Sequence, residues 1–252
     1  MPLLLKILIA TVVSGLFSLA GGIALLGRAK WINQFSVHFV SFAVGVLLAT
    51  SFLDLLPEGV EFAAEGAEKV FLSALVGIIV FFTLERLILK FHPHHHVDED
   101  TSHHHPVPLL LSIGDTFHNF IDGILVAVSF LANPALGVVT AFSVAAHEIP
   151  QEISDFSVML NHGWGRRKVL WANIFSSLAS VAGGVLAYLF RDAIYPVLPQ
   201  LLGATAGIFL YIATADLIPE ISSKEHWDKT SHVLGLVILG AVSVGLLIYF
   251  LE

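Results

Sequence analysis

Asp115-Thr116-Phe117-His118-Asn119-Phe120-Ile121-Asp122-Gly123 and His147-Glu148-Ile149-Pro150-Gln151-Glu152-Ile153-Ser154-Asp155 are the two stretches whose reading decides the fold. Both sit inside runs otherwise made of Leu, Val, Ala, Phe and Ile. Residues three and four apart share one face of a helix. Asp115, His118, Asn119 and Asp122 therefore form one polar stripe. On the second helix His147 aligns with Gln151, and Glu148 aligns with Glu152 and Asp155. A charged side chain at a bilayer centre costs at least ~2.5–3.5 kcal/mol, and several carboxylates together repel one another. A divalent cation between the stripes removes both difficulties.

The rest of the chain supplies the bilayer setting. Of its 252 residues 56% are hydrophobic and only 13% charged, and the mean hydropathy is +0.84. Soluble domains carry about 25% charged residues. The apolar runs are continuous rather than alternating, which points to an all-α membrane protein rather than a barrel. Runs of about 20 apolar residues predict eight transmembrane helices, at 3–26, 34–56, 68–90, 108–131, 135–160, 167–190, 198–219 and 231–251. The net charge of −8 says little about partners, and nothing points to nucleic acid. No cysteine is present, so thiolate sites and disulfides are excluded.

Ala20-Gly21-Gly22 recurs as Ala182-Gly183-Gly184, and Asp54-Leu55-Leu56-Pro57-Glu58 recurs as Asp216-Leu217-Ile218-Pro219-Glu220, at one common separation. An odd number of crossings lies between the copies. Spans 1–3 and 6–8 thus read as an inverted repeat around spans 4 and 5, an arrangement typical of transporters with a midplane substrate site. The repeat also argues against reading residues 1–26 as a cleaved signal sequence. The whole of 1–252 is one transporter domain: 1–90 the first repeat, 91–107 a loop, 108–160 the metal-binding pair, and 167–252 the second repeat. Basic residues favour cytoplasmic loops. Arg28, Lys30, Arg86, Lys90, Arg166, Arg167, Lys168, Lys224 and Lys229 outnumber Lys6, Lys69 and Arg191 on the other side. Both termini are then non-cytoplasmic in a multi-pass protein of the cell membrane. The 91–107 loop, with His94, His95, His96, His103, His104 and His105, is then cytoplasmic and a place where metal collects.

Imidazole with carboxylate and no thiolate suits zinc first, with Fe2+, Mn2+, Co2+ or Cd2+ as other cargo, and calls for no organic cofactor. Pro150 leaves the Ala146 carbonyl without its helical donor and predicts a kink beside His147. Asp54, Glu58, Asp216 and Glu220 at the span ends, with Asp115 and Asp155, are candidates for the pathway.

His118-Asn119-x-x-Asp122-Gly123 with His147-Glu148-x-Pro150-x-Glu152 resembles the ZIP (Zrt/Irt-like protein) family of divalent-metal transporters, closest to the subfamily with H-E-x-P-x-E in the fifth helix. The resemblance covers essentially the whole chain. It implies transport of zinc toward the cytoplasm through a two-metal centre. His118, Asp122, His147 and Gln151 would hold one ion. Asn119, Asp122, Glu148 and Gln151 would hold its neighbour, with Asp122 bridging and Glu152 near the exit. Gln151 stands where the family has His or Glu, and a neutral amide is the weaker ligand. The resemblance further implies a homodimer, and two repeats acting as a frame while spans 4 and 5 move. The competing reading is an intramembrane zinc metallohydrolase. Its H-E-x-x-H motif fails at Gln151, and a repeat has no role in such an enzyme.

Overall fold

The computed structural model describes the backbone of residues 1–63, 65–90, 107–222 and 230–251, and the side chains of these apart from 24–35, 88–90, 107 and 110. The six loop histidines from His94 to His105, together with Lys224 and Lys229, lie outside the described residues.

Among the described residues every regular element is helical. Helix α1 runs Leu3–Thr50 and passes through a π-helical turn, Ser51–Leu55, into α2, Leu56–Ala63. Then come α3 (Ala67–Lys90), α4 (Val107–Ala132), α5 (Pro134–Asn161) and α6 (Arg166–Leu189). A short α7 (Arg191–Ile194) leads to α8 (Leu198–Tyr211), a second π-helical turn (Ile212–Leu217), α9 (Ile218–Ile221) and α10 (Thr230–Leu251).

Among the described residues six segments are long and apolar enough to cross a membrane: Leu3–Ile23, Ser36–Ala63, Ala67–Leu87, Arg166–Leu189, Arg191–Ile221 and Thr230–Leu251. The two expected spans missing from that set are α4 and α5. At 26 and 28 residues they are long enough, but the Asp, His and Glu residues of their stripes lower their hydropathy. Their polarity faces inward. Leu72, Phe175, Leu189, Ile238 and Phe250, by contrast, are exposed on the outside of other helices. An apolar exterior around a polar interior belongs in lipid, not water.

The break expected between residues 26 and 34 is not a break in helical assignment, which is continuous through α1. Its two halves are nevertheless not collinear. Gly22 meets the Phe156 ring of α5, while Thr50 hydrogen-bonds Ser143 of the same helix at 2.6 Å. A straight rod would separate Gly22 from Thr50 by about 42 Å, yet Phe156 and Ser143 lie only about 20 Å apart along α5. Both halves therefore line α5.

Helix association in lipid rests on close backbone approach, and glycines mark where it occurs. A Cβ on Gly123 would overlap the Ser180 carbonyl oxygen, and one on Gly183 that of Phe120, so α4 and α6 touch backbone to backbone. Gly22 gives the Phe156 ring of α5 its place against the first half of α1, a Cβ there overlapping the ring. Gly203 and Gly207 join α8 to α3, and Gly45 and Gly240 join the second half of α1 to α10. The repeated glycine pairs thus do matching jobs. Gly21 and Gly22 face α5, whereas Gly183 and Gly184 face α4 and the first half of α1.

Local chemistry sets the bounds of the central pair. Asn133 caps α5, its Oδ1 accepting from the Ala135 amide at 2.9 Å with Pro134 as first residue. Past its end, Gly163 takes φ 84°, the left-handed conformation in which a side chain is strained. Helix α5 stays helical on both sides of Pro150.

Candidate metal centre

Helices α4 and α5 pack side by side so that the two stripes meet. Four side chains converge: His118 and Asp122 from α4, His147 and Glu148 from α5. His118 Nε2 lies 3.2 Å from His147 Nε2, 3.7 Å from Asp122 Oδ2 and 3.5 Å from Glu148 Oε1. His147 Nε2 lies 3.2 Å from Asp122 Oδ2 and 3.9 Å from Glu148 Oε1. Around tetrahedral zinc, bonds of about 2.0–2.2 Å place neighbouring ligand atoms about 3.3–3.6 Å apart. The observed separations bracket that range, so the ligand atoms need only small shifts to surround one ion.

The protonation pattern points the same way. His147 Nδ1 is 2.9 Å from the Ser143 carbonyl oxygen, which can only accept. Nδ1 therefore carries the proton and Nε2 presents its lone pair to the centre, the tautomer that metal-binding histidines adopt through such an outer contact. Asp122 Oδ2 and both Glu148 oxygens are buried without a hydrogen-bond partner. Even if His118 Nε2 donates to His147, the carboxylate oxygens remain acceptors facing acceptors. Buried groups in that state call for a cation or protons.

Aromatic rings from neighbouring helices pack on both histidines. The edge of Phe81 on α3 packs on His118 with ring centroids 5.6 Å apart, and Phe209 on α8 packs on His147 at 6.0 Å. Asn119 follows His118 on the same stripe and makes its own contacts through Nδ2. Its Nδ2 donates to Asp115 Oδ1 at 3.0 Å, to the Asp115 carbonyl at 3.2 Å and to Ser176 Oγ of α6 at 3.3 Å. Asn119 thus fixes Asp115 and ties α4 to α6. Gln151, one turn beyond His147, lines a cavity of about 470 Å³ together with His118.

That cavity reaches from His118 of the centre to Glu85 and Glu220 near the ends of their helices. His118, Asp115, Gln151 and Asp155 form its inner wall, and Glu85, Asp216 and Glu220 line it too. Asp54 is buried within the first π-helical turn, while Asp216 occupies the second at the equivalent point of the repeat. Glu152 is wholly buried beside Glu148 and Asp115. Two residues of the cavity region escaped sequence reasoning: Glu85 on α3, and Tyr211 at the end of α8, whose hydroxyl donates to Glu85. Glu85 adjoins Arg86 near the end of its span and reads as an ordinary boundary charge. No spacing rule links it to Tyr211.

The family model described as ZIP Zinc transporter matches residues 3–109 and 92–248 of this chain. Among similar proteins, zinc transporter ZIP13 of Pongo abelii is 32% identical over 232 residues, covering 85% of this chain and 67% of its own length. Zinc transporter ZIP10 of Danio rerio is 34% identical over 49% of this chain, which spans only 14% of that longer protein. Zinc transporter ZIP4 of Homo sapiens is 34% identical over 45% of this chain and 17% of its own.

Proposed function

Because the chain belongs to the ZIP zinc transporter family, we propose that it carries zinc across a membrane through the buried centre of His118, Asp122, His147 and Glu148. The observation that carries this reading is the convergence of two imidazole nitrogens and two unpartnered carboxylates at ligand spacing inside an apolar bundle. Relatives of this family are zinc transporters, not enzymes, and the hydrolase reading is not favoured.

Zinc is the cargo. Mixed nitrogen and oxygen ligands without thiolate hold it loosely enough to let go, as conduction requires, and the same ligand types suit Fe2+, Mn2+, Co2+ or Cd2+. The acid-lined cavity is the release route. It opens at the end of the bundle where α5 closes and α6 begins with Arg166, Arg167 and Lys168. By the preference of basic residues for the cytoplasm, that end is cytoplasmic, both termini lie on the other side, and transport runs inward across the cell membrane. Asp155, Asp216 and Glu220 draw the leaving ion outward by steps, and the loop histidines receive it.

Eight crossings follow if the two halves of α1 and the polar helices α4 and α5 span the bilayer with the rest. The π-helical turns ahead of Pro57 and Pro219 support the inverted repeat. The glycine seams support a division of labour different from two intact repeats framing α4 and α5. The first half of α1 and α6 are sealed to α4 and α5 and move with them. The second half of α1, α3, α8 and α10 form the frame, and a homodimer would pair through it.

The reading is tested by reconstituting the chain in liposomes and following radioactive zinc. Saturable uptake above protein-free liposomes is expected. Tight zinc binding with no uptake would overturn the proposal.

A further inference from the structure

The cavity beside the centre is larger than a departing ion needs. At about 470 Å³ it has the size of sites that take small organic ligands, about 300–1,000 Å³. Part of its lining is apolar: Phe81 and Leu84 of α3, Phe117 and Ile121 of α4, and Leu217 of the second π-helical turn. Asp115, Asp155, Glu85, Asp216 and Glu220 supply acids. Among the described residues no lysine or arginine lines it. Arg86, next to Glu85, places its guanidinium over the Phe82 ring instead, 5.4 Å from the centroid.

The cavity also reaches the lipid-facing side of the bundle. Leu84 and Phe117 line it and are nevertheless 41% and 58% exposed. Leu87 and Ile113 lie one turn away on the same helix faces, outside the lining, and are 49% and 45% exposed. Those faces of α3 and α4 therefore look outward, and the cavity has a side opening between the two helices. We infer that it is a binding site for a lipophilic cation, an organic cation clothed in aryl or alkyl groups, which enters between α3 and α4 and rests its charge among the acids.

Charge complementarity selects this occupant. The acyl chain of an anionic lipid would suit the apolar lining, but its phosphate would be brought toward carboxylates. A neutral ligand would leave the acids unmatched. A cation meets the acids, its apolar groups meet Leu84, Ile121 and Leu217, and the Phe81 and Phe117 rings attract positive charge to their faces. Binding does not depend on zinc movement. That the occupant also closes the route by which zinc leaves rests on the transport reading, so the two are tested apart.

Tetraphenylphosphonium is the probe, because its charge is fixed at every pH and it has no lone pair to offer a metal. Equilibrium dialysis of the purified full chain in maltoside micelles, with protein-free micelles subtracted, measures its binding beside that of uncharged triphenylphosphine oxide. Wild type is expected to bind the cation saturably and the neutral compound at least about fivefold more weakly, as attraction by the acids requires. The double variant Glu85→Gln/Asp216→Asn is expected to lose at least about fivefold for the cation and to bind the neutral compound as before. No saturable binding, equal affinity of wild type for the two compounds, or displacement of the cation by dioleoyl phosphatidylglycerol would overturn the inference. So would unchanged affinity in a double variant that elutes as wild type on size exclusion. Because the two compounds are compared on wild type, a variant that fails to fold leaves the test standing. Zinc uptake by liposomes of the same preparation is followed separately. Wild type that binds the cation but takes up no zinc sinks the transport reading alone, and uptake undiminished at saturating cation sinks the closing of the route.

Discussion

Gly183→Ala tests the seam on which the centre depends. At this position α6 approaches the Phe120 carbonyl of α4 so closely that a Cβ would overlap the oxygen. An ordinary C···O contact is about 3.3–3.6 Å, so α4 and α6 must part by about 1 Å to admit one methyl group. Backbone atoms do not yield as a flexible side chain does. Overpacking of this kind costs typically about 1–3 kcal/mol, and for a chain of this size each kcal/mol moves Tm by about 2–4 °C. Gly183→Ala should therefore melt roughly 2–12 °C below wild type. Gly235 on α10 is the control: a Cβ there meets nothing within 4 Å, and alanine raises helix propensity by about 1 kcal/mol. Gly235→Ala should melt at or slightly above the wild-type temperature. The assay is thermal denaturation in detergent micelles, read by the folded fraction on size exclusion after heating. Parting the seam also draws Ser176 away from Asn119, whose amide holds Asp115, so zinc uptake should fall in Gly183→Ala. A Gly183→Ala protein as stable as wild type would refute the backbone contact between α4 and α6.

Other outcomes follow from the same geometry. Gln151→His places an imidazole one turn beyond His147, next to the cavity; it should lower the KM for zinc and slow its release, and an unchanged KM would count against the position of the centre. Zinc binding requires both Nε2 atoms free of protons, so binding releases protons and acid weakens it. Uptake should therefore decline as the medium is made more acidic, and a profile that stays flat down to the pH at which the protein unfolds would contradict the histidine ligation.

Much of the centre was legible in the sequence, for a definite reason. His118 with Asp122, and His147 with Glu148, interrupt apolar runs at helical spacing. In a membrane such an interruption needs a ligand, so the pattern names its own residues. What periodicity does not report is which stripe residues finally turn toward one another. Asn119 shares its stripe with His118 and Asp122, and its Nδ2 also donates to Asp115 and to Ser176 of α6, the second a contact no spacing rule gives. Contacts from a third helix were also beyond reach. Phe81 against His118, Phe209 against His147 and the Tyr211–Glu85 bond depend on how α3 and α8 dock on the central pair.

The fold was read with similar strengths and gaps. Six apolar spans stand out by composition, while α4 and α5 are obscured by the very residues that give them their purpose. The repeated Asp-Leu-x-Pro-Glu segments were visible as letters. That each carries its aspartate in a π-helical turn was not, because an extra residue in a helical turn leaves the apolar pattern on either side intact. Such turns gather at functional positions, and both fall on acids that the sequence offers only as candidates for the pathway.

The proposed carrier of the ion is the buried centre, rather than the histidine-rich loop. Zinc uptake by liposomes containing His147→Ala, beside a chain whose six histidines between His94 and His105 are replaced by serine, separates the two. If the buried centre carries the ion, His147→Ala abolishes uptake while the loop variant still transports. Uptake that survives in His147→Ala and disappears in the loop variant would contradict it.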